Sequence, residues 1–323
     1  MRALVQHRFG DPAEELHVEE VETPVPGPGQ ILVRMVLSPI HNHDLLTASG
    51  DYGFKPDLPA RAGTEAVGVV EGLGDGVTGL SVGQRVSIGG VFGAWAEYFV
   101  VAAGAAIPVP DGLPDEAAAQ LVAMPFSAIA LLDSLGVEAG QWIAQNAANG
   151  AVGRMLAQLA HARGVNVVGL VRRAAGVQEL AAAGIGDVVA TDAEGWQDDV
   201  RRITGGADLV AGVDSVGGRA SGDLLDLLAE HATLVVFGAM GSQRLDLALG
   251  DVLFKQVTVK GFWGAKLNLD PSRRQALFAE LLSRITSGEM QLPVEQVFDL
   301  ADIAEAVAAS RRPGRNGKVL LRG

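Results

Sequence analysis

The chain has 323 residues, of which 48% are hydrophobic and 20% charged, and its formal net charge is −13. Such an acidic protein is not expected to bind nucleic acid or an anionic membrane surface, because both require a cationic face. The sequence contains no cysteine, which excludes disulfides, thiolate zinc sites, iron–sulfur clusters and a cysteine nucleophile. With no secretory signal and no apolar run long enough to span a bilayer, we expect a cytoplasmic enzyme or binding protein of two domains.

Residues 1 to about 110 are predicted to form short strands separated by turns. Runs such as ILVRMVLSPI, AVGVVEGLG, QRVSIGGV and AEYFVV alternate with turn clusters such as PVPGPGQ and GDGVTG. The stretch HNHDLLTASG is the one place in this region where a helical pattern begins. The head of the chain is therefore expected to be rich in β-structure.

After Pro114 the pattern changes to alternating helices and strands. DEAAAQLVAMPFSAIALLDSL predicts a helix, and the apolar runs WIAQN, VNVVGLV, ADLVAGVD, TLVVFG and VTVKGFW predict strands separated by helical segments. This alternation is typical of a parallel sheet with helices on both faces. The tail returns to a mixed pattern, so head and tail are expected to form one domain with the α/β block inserted between them.

A glycine-containing loop, QNAANGAVG, lies between the first of these strands and a helix. Its pattern Ala147-x-x-Gly150-x-x-Gly153 is a variant of the dinucleotide fingerprint in which alanine replaces the first glycine. Glycine lets the backbone approach a pyrophosphate and lets the helix pack closely on the strand, and the helix N-terminus attracts the phosphates. The alternative interpretation is a glycine-rich turn that binds nothing.

The end of the next strand indicates which dinucleotide is bound. NAD sites usually place an acidic residue there, about 20 residues past the glycines, to bind the ribose 2′-hydroxyl. This chain has Arg172 and Arg173 instead, with no acid beside them. An arginine pairs with a 2′-phosphate through two hydrogen bonds, whereas a carboxylate would repel it. The prediction is NADPH, the alternative being a solvated start of a helix.

Four stretches carry a resemblance to a known family: GDYGFKPDLPA, QNAANGAVG, FGAM and LFKQVTVKGFW. Over essentially its whole length the chain resembles the zinc-free branch of the medium-chain dehydrogenase/reductase superfamily, and within it the 2-enoyl thioester reductases most. The resemblance implies an α/β fold, with a GroES-like β-rich catalytic domain (1–124 and 266–323) around an inserted Rossmann domain with a doubly wound parallel sheet (125–265). Quinone oxidoreductases share this plan but match the first and last stretches less well.

The resemblance also implies roles for individual residues. Tyr52 would be the catalytic acid or an orienting donor, since a phenol is protonated at neutral pH; the alternative is an ordinary loop tyrosine. The implied cofactor contacts are as follows: Asn149, Gly150, Ala151, Val152 and Gly153 at the pyrophosphate, Arg172 and Arg173 at the 2′-phosphate, Gly238 and Met240 near the nicotinamide, Phe262 and Trp263 at the cofactor–substrate border, and Lys318 from the C-terminal segment. Lys318 could instead be a solvated lysine at the start of a strand, and Trp263 a core residue.

Zinc-dependent relatives provide the contrast. The position that resembles their first ligand is His41, Thr64 replaces their histidine, and the third ligand position falls near Ala123. This is a poor tetrahedral site, so we expect no metal, although two histidines and a carboxylate (His41, His43 and Glu65) form a formal alternative. The family usually has Asn-Pro-Ser/Ala-Asp where this chain has a stretch with two histidines, which leaves the substrate and the role of His41 and His43 open.

The sequence thus favours an NADPH-dependent reductase of activated C=C bonds, such as those of enoyl thioesters. Without zinc to stabilise an alkoxide, a hydride is better delivered to a carbon that is already electrophilic. The alternatives are an NADPH quinone oxidoreductase, a non-catalytic NADPH-binding protein, and a residual zinc alcohol dehydrogenase. A homodimer is expected, because the apolar run VTVKGFWG would lie at a sheet edge that invites pairing.

Overall fold

The computed structural model describes all 323 residues of the chain. They form two compact units, residues 1–124 with 292–323 (unit 1) and residues 125–291 (unit 2). The two ends of the chain therefore share one unit, and the central segment forms the other.

The head of the chain is rich in short strands, as expected. Its elements are β1 (Arg2–Gln6), α1 (Pro12–Glu15), β2 (His17–Glu20), β3 (Gln30–Pro39), α2 (Asn42–Ser49), β4 (Ala60–Arg61), β5 (Glu65–Leu73), β6 (Arg85–Gly89), β7 (Tyr98–Ala102), β8 (Ala106–Pro108) and α3 (Asp115–Ala118). Alternate residues of β3 are buried along most of its length, which is the period of a strand with one face on a core.

The central segment alternates strands and helices. Its elements are α4 (Ala123–Leu135), β9 (Trp142–Gln145), α5 (Ala151–Ala162), β10 (Asn166–Val171), α6 (Ala174–Ala182), β11 (Val188–Ala190), α7 (Trp196–Thr204), β12 (Leu209–Asp214), α8 (Arg219–Leu227), β13 (Thr233–Val236), α9 (Leu249–Phe254), β14 (Thr258–Gly261) and α10 (Pro271–Thr286). The six strands form one parallel sheet in the order β11-β10-β9-β12-β13-β14. The predicted parallel sheet is thereby confirmed. β11 and α7 were not predicted.

The tail adds β15 (Val294–Asp299), α11 (Ile303–Arg311) and β16 (Lys318–Arg322) to unit 1. Its main sheet runs β15-β16-β3-β5-β6-β8, with β7 also paired to β3, and a second sheet has the order β2-β1-β4. β16 therefore lies between β15 and β3, inside the sheet. Side chains such as Ile31, Trp95 and Phe99 are buried in the core of this unit, where each apolar side chain contributes on the order of 1.5–3 kcal/mol.

Two differences from the sequence-based expectations have physical causes. Residues 266–291 belong with unit 2 rather than with the tail, and within unit 2 the guanidinium of Arg163 pairs with Glu280 of α10 at 2.8 Å. The helix predicted from Asp115 onwards is divided into α3 and α4. It is interrupted because the backbone amides of Val122 and Ala123 donate to a carboxylate outside the helix, that of Glu65.

No helix of the protein combines the length and the apolar character needed to cross a membrane.

Candidate functional site

The loop between β9 and α5 has the geometry of a phosphate cradle. A Cβ added at Gly153 would lie 2.8 Å from the carbonyl oxygens of Ala147 and Ala148, so only glycine fits there. Ala147, where the fingerprint has its first glycine, adopts a φ of 48°, the left-handed conformation that glycine favours. The loop thus keeps the fingerprint's backbone shape although the sequence departs from it.

The first turn of α5 offers its backbone amides. The N-cap residue, Gly150, has no side chain to accept a hydrogen bond from that turn, and the helical bonds begin with the amide of Arg154 on the carbonyl of Gly150 (3.0 Å). Uncapped amides at a helix N-terminus, with the partial positive charge of the helix dipole, bind anions. The loop therefore fits the diphosphate of a nicotinamide nucleotide.

A buried pair that the sequence analysis missed, Asn146 and Asp214, joins this loop to the end of β12. The amide of Asn146 donates to Asp214 at 2.5 Å and accepts from the backbone N–H of Ser215 at 2.7 Å. Asp214 also accepts the hydroxyl of Ser221 and the amides of residues 216 and 217. The pair fixes the turn after β12 beside the cradle; the clue in the sequence is the acid, Asp214, that ends the apolar run LVAGVD.

Arg172 and Arg173 directly follow β10, the strand beside β9. Both are exposed, and neither guanidinium has a hydrogen-bond or ionic partner within the protein. Gly169 on the same strand packs against the cradle, since an added Cβ there would lie 2.8 Å from the Cβ of Ala148. The two cations therefore stand at the end of the strand that adjoins the cradle and are available to an anionic group.

The turn FGAM and the stretch GFW lie at the carboxyl ends of β13 and β14. The amide of Gly238 donates to the Asp214 carbonyl at 3.2 Å, and that of Met240 donates to the Ser215 carbonyl at 3.1 Å, which holds this turn on the end of β12. A cavity of about 440 Å³ opens beside these strand ends, lined by Val236, Gly261, Phe262, Trp263, Lys266, Leu267 and Asn268. Trp263 is 39% exposed, so the alternative that it is a core residue is wrong.

Unit 1 contains a cluster of titratable side chains around the start of α2. His41 is the N-cap of this helix, and its Nε2 lies 2.7 Å from Oε2 of Glu65, the first residue of β5. The other oxygen of Glu65 accepts the amides of Val122 and Ala123 at the start of α4. Both side chains are fully buried. The hydrogen bond and the two amides give Glu65 the polar partners that burial demands, whereas Nδ1 of His41 has no hydrogen-bond partner.

Burial shifts the acid–base behaviour of this cluster. Loss of hydration raises the pKa of Glu65 to about 7, with the two backbone amides opposing the rise. The same loss of hydration, reinforced by the charge of Lys318, lowers the pKa of His41 well below its usual range. Burial also lowers the pKa of Lys318 to about 8, and its Nζ lies 3.4 Å from the carbonyl of Ile40. Lys318 is 6% exposed, so the alternative of a solvated lysine is wrong.

The second histidine of the cluster belongs to a hydrogen-bonded chain. Nε2 of His43 lies 2.7 Å from the hydroxyl of Thr64, and that hydroxyl donates to Oδ1 of Asp44 at 2.6 Å. The ring of His43 stacks on that of His41 with centroids 4.9 Å apart, and its other neighbour is the ring of Tyr52 at 5.8 Å. Tyr52, the residue predicted to be the acid, thus lies beside the histidine cluster.

The donor set does not fit a zinc ion. Nε2 of His41 is hydrogen-bonded to Glu65, Thr64 binds His43 and Asp44, and no group of three histidine, aspartate or glutamate side chains converges on one point. A tetrahedral site needs at least three protein ligands of this kind. The chemistry of this centre therefore depends on its own hydrogen-bonding groups.

The structure thus gathers the predicted residues into two groups, one in each unit. The cradle, the two arginines and the FGAM and GFW stretches lie at the carboxyl ends of the strands of the parallel sheet, where α/β folds bind ligands. Tyr52 and Lys318 lie in unit 1 around the two histidines. The individual cofactor contacts and the catalytic role of Tyr52 stay predictions.

Comparisons with known proteins agree with this arrangement. Residues 27–111 match the family of the alcohol dehydrogenase GroES-like domain, and residues 151–286 match the zinc-binding dehydrogenase family. The chain is 30% identical over 332 residues to the mitochondrial enoyl-acyl-carrier-protein reductase of Homo sapiens, covering 99% of this chain and 88% of that protein.

Solved structures of quinone oxidoreductases are similar over the whole chain. The Escherichia coli enzyme, complexed with NADPH, gives a TM-score of 0.91 at 27% identity, with 100% of both chains covered. The enzyme of Pseudomonas syringae gives 0.85 at 28% identity, again with 100% of both chains covered. The fold class expected from the sequence is confirmed, and the chain is an oxidoreductase that uses a nicotinamide cofactor. It belongs to the medium-chain dehydrogenase/reductase superfamily, in the branch of the enoyl reductases and quinone reductases.

Proposed function

We propose that the protein reduces the C=C bond of an activated substrate, an enoyl thioester, with NADPH and without zinc. The observation that carries the proposal is the hydrogen bond between His41 and Glu65. His41 is at the position that resembles the first zinc ligand, and this bond engages the nitrogen that a metal would need. A centre without a Lewis acid suits a carbon that the substrate itself makes electrophilic, such as the β-carbon of an enoyl thioester. The 30% identity to an enoyl reductase over nearly the whole chain supports the same reaction.

NADPH, when bound, supplies a hydride to the β-carbon. Negative charge then develops on the thioester oxygen and the α-carbon, and both must be met by protons or hydrogen-bond donors. Tyr52 has the only hydroxyl in the loop GDYGF, and its ring lies against His43. We assign Tyr52 the donation of a proton to the α-carbon, or of a hydrogen bond to the oxygen on the way to that transfer.

In this proposal the cradle, from Asn149 to Gly153, holds the diphosphate through its backbone amides, and Arg172 and Arg173 hold the 2′-phosphate. Gly238, Met240, Phe262 and Trp263 border the nicotinamide beside the 440 Å³ cavity. Lys318 is proposed to act on the cofactor from the C-terminal strand. The exposed, unpaired state of the two arginines supports the choice of NADPH over NADH.

Replacement of Tyr52 by phenylalanine tests the proposal. With crotonyl-CoA as acceptor, Tyr52→Phe should lower kcat by about 10²–10⁴-fold, the usual contribution of general acid catalysis. The dissociation constant for NADPH should stay within about two-fold, because the cradle is untouched. Tyr98→Phe is the matched control, since Tyr98 lies in β7 and is the only other tyrosine of the chain. Near-normal turnover of Tyr52→Phe would overturn the assignment.

A second candidate function is the reduction of quinones. The whole-chain likeness to quinone oxidoreductase structures favours it, with TM-scores of 0.85 and 0.91. Oxidation of NADPH with crotonyl-CoA and with 1,4-benzoquinone separates the two candidates, and we expect the larger kcat/KM with crotonyl-CoA. A larger kcat/KM with the quinone would replace the first proposal by the second.

We also propose a homodimer that forms through the edge of the parallel sheet. β14 is the last strand of that sheet, and all four of its residues are exposed. Leu249, Leu253 and Phe254 of the preceding helix α9 are exposed by 78%, 58% and 77%. An open edge beside apolar side chains is the kind of surface that a second copy covers.

A further inference from the structure

The hydrogen-bonded chain around His43 has a defined direction. Both oxygens of Asp44 act as acceptors, Oδ2 for the backbone amide of His41 at 2.9 Å and Oδ1 for the hydroxyl of Thr64 at 2.6 Å. The single proton of that hydroxyl is therefore committed to Asp44. Towards His43 the Thr64 oxygen is an acceptor, so the proton between them, across 2.7 Å, belongs to Nε2 of the imidazole.

This direction fixes the imidazole of His43. The bond from Nε2 to Thr64, 2.7 Å long, restrains the rotation of the His43 side chain. The ring of His41 stacks on His43 at 4.9 Å with an interplanar angle of 18°, and His41 is held in turn by Glu65. The backbone of His43 is held as well, because its carbonyl accepts the hydroxyl of Thr47 at 2.7 Å.

Tyr52 lies next to this fixed ring. The rings of His43 and Tyr52 have centroids 5.8 Å apart and an angle of 31° between their planes. The backbone of Tyr52 follows the end of α2 and is held there by a bond from its amide to the carbonyl of Leu46 at 3.1 Å. That bond sets where the residue lies but leaves the torsions of its side chain to its neighbours, of which His43 is one.

We propose that His43 is a positioning residue for the reaction, and that the chain from Asp44 through Thr64 to His43 sets the orientation of the Tyr52 ring for proton donation. The inference rests on the proposed role of Tyr52 as the acid. Because a misplacement of about 1 Å costs on the order of 10²-fold in rate, the hydroxyl of Thr64 should control turnover through the imidazole of His43.

The test removes that hydroxyl with little change of volume. Thr64→Val deletes the acceptor of the His43 proton, and Thr64→Ser retains it as the conservative variant. Thr204→Val is the matched control, because Thr204 and Thr64 are both 8% exposed but Thr204 lies in α7 of the other unit, where its hydroxyl donates to the carbonyl of Arg201. Each variant is measured for kcat, for KM with crotonyl-CoA and with benzoquinone, and for thermal unfolding.

A second readout needs no reaction. The chain has two tyrosines, so protein labelled with 3-fluorotyrosine gives two fluorine resonances, which Tyr98→Phe assigns. We expect Thr64→Val to move or broaden the Tyr52 resonance and leave that of Tyr98 in place. It should also lower kcat at least ten-fold with little change in the affinity for NADPH, whereas Thr64→Ser and Thr204→Val should resemble the wild type.

The outcomes separate this inference from the proposed function. An unchanged Tyr52 resonance in Thr64→Val, or a kcat that falls equally in Thr204→Val, would overturn the positioning role of His43. A displaced Tyr52 resonance in Thr64→Val, combined with an unchanged kcat on both acceptors, would overturn that role as well. Failure of the proposed function would be detected by a different result, namely normal turnover of Tyr52→Phe. In that case the fluorine spectra would still report whether Thr64 controls the orientation of the Tyr52 ring.

Discussion

Arg172 and Arg173 illustrate what single residues contribute to selectivity. They lie at the end of β10, exposed and without partners in the protein, where a nucleotide held by the cradle would place its adenosine ribose. A guanidinium gains two charge-assisted hydrogen bonds with a 2′-phosphate, and each such bond contributes about 1.5–3 kcal/mol. NADH has a 2′-hydroxyl in place of that phosphate and would lose most of this stabilisation.

Replacement of Arg172 by aspartate should weaken the preference for NADPH. Arg172→Asp should lower the ratio of kcat/KM for NADPH to that for NADH by about ten-fold or more, because a carboxylate repels the 2′-phosphate and accepts from a 2′-hydroxyl. Arg219→Asp is a suitable control, since it makes the same charge change on an exposed side chain of α8. If the ratio of kcat/KM values were unaltered in Arg172→Asp, Arg172 would not be the residue that selects NADPH. Arg173 would then have that role, or neither arginine would.

Single residues also show how much the sequence could reveal. The cradle was predictable because Gly150 and Gly153 have a fixed spacing between a strand and a helix, and the structure has that loop at that place. The hydrogen bonds of His41 and His43 were not predictable, because their partners Glu65 and Thr64 follow more than 20 residues later along the chain. Only the fold brings β5 against the start of α2.

At the scale of elements, Glu65 links three of them. Its carboxylate at the start of β5 accepts both amides at the start of α4 and binds His41 at the start of α2. The division of the predicted helix into α3 and α4 follows from this contact, which no local pattern in the stretch after Asp115 records. β11 and α7 escaped prediction for a simpler reason, since β11 has only three residues, too few for a periodic signal.

The pH dependence of stability follows from the same carboxylate. The pKa of Glu65 is raised from 4.5 to about 7, so its contribution to the free energy of unfolding is full below pH 4.5 and is lost as the pH rises through about 7. His41, with a lowered pKa, contributes fully above pH 6.5 and loses its contribution as the pH falls. The two slopes oppose each other between pH 4.5 and 6.5, and above that only the loss from Glu65 continues.

Glu65→Gln should remove one of these slopes. The free energy of unfolding of Glu65→Gln relative to the wild type is expected to rise by about 1–3 kcal/mol between pH 4.5 and 7 and to stay level above, at about 1.4 kcal/mol per pKa unit. Chemical unfolding at a series of pH values measures it. Glu71→Gln, an exposed position on the same strand, is the control and should follow the wild type. A constant difference at all pH values would contradict the titration of Glu65 in this window.

At the scale of the whole molecule, the comparisons and the sequence agree on the architecture. The division into a β-rich unit and an α/β unit was predictable, because the change of hydrophobic period after Pro114 extends over many residues. The exact end of the α/β unit was not predictable, because the sequence pattern of residues 266–291 is compatible with either unit. The ion pair between Arg163 and Glu280 that joins them to the α/β unit is a tertiary contact.

Association of two chains is the prediction at this scale. The wild type should sediment at micromolar concentration with twice the monomer mass of 33.4 kDa. Phe254→Asp combined with Val259→Asp should give monomers, because buried carboxylates without partners oppose the pairing of two β14 edges. Val25→Asp, at an exposed apolar position in unit 1, should leave the dimer intact. A monomeric wild type would remove the edge-pairing proposal.

The place of β16 in its sheet has a consequence for biosynthesis. Residues Lys318–Arg322 lie between β3 and β15. β3 is translated early and therefore lacks this neighbouring strand until about 280 further residues have been synthesised, since Pro39 pairs with Leu320. The α/β unit, whose residues are contiguous, has no such delay and is able to acquire its native sheet while the tail is still being translated. Nascent chains stalled before residue 318 should accordingly protect the nucleotide cradle from proteases while leaving the first half of the β-rich unit open to cleavage.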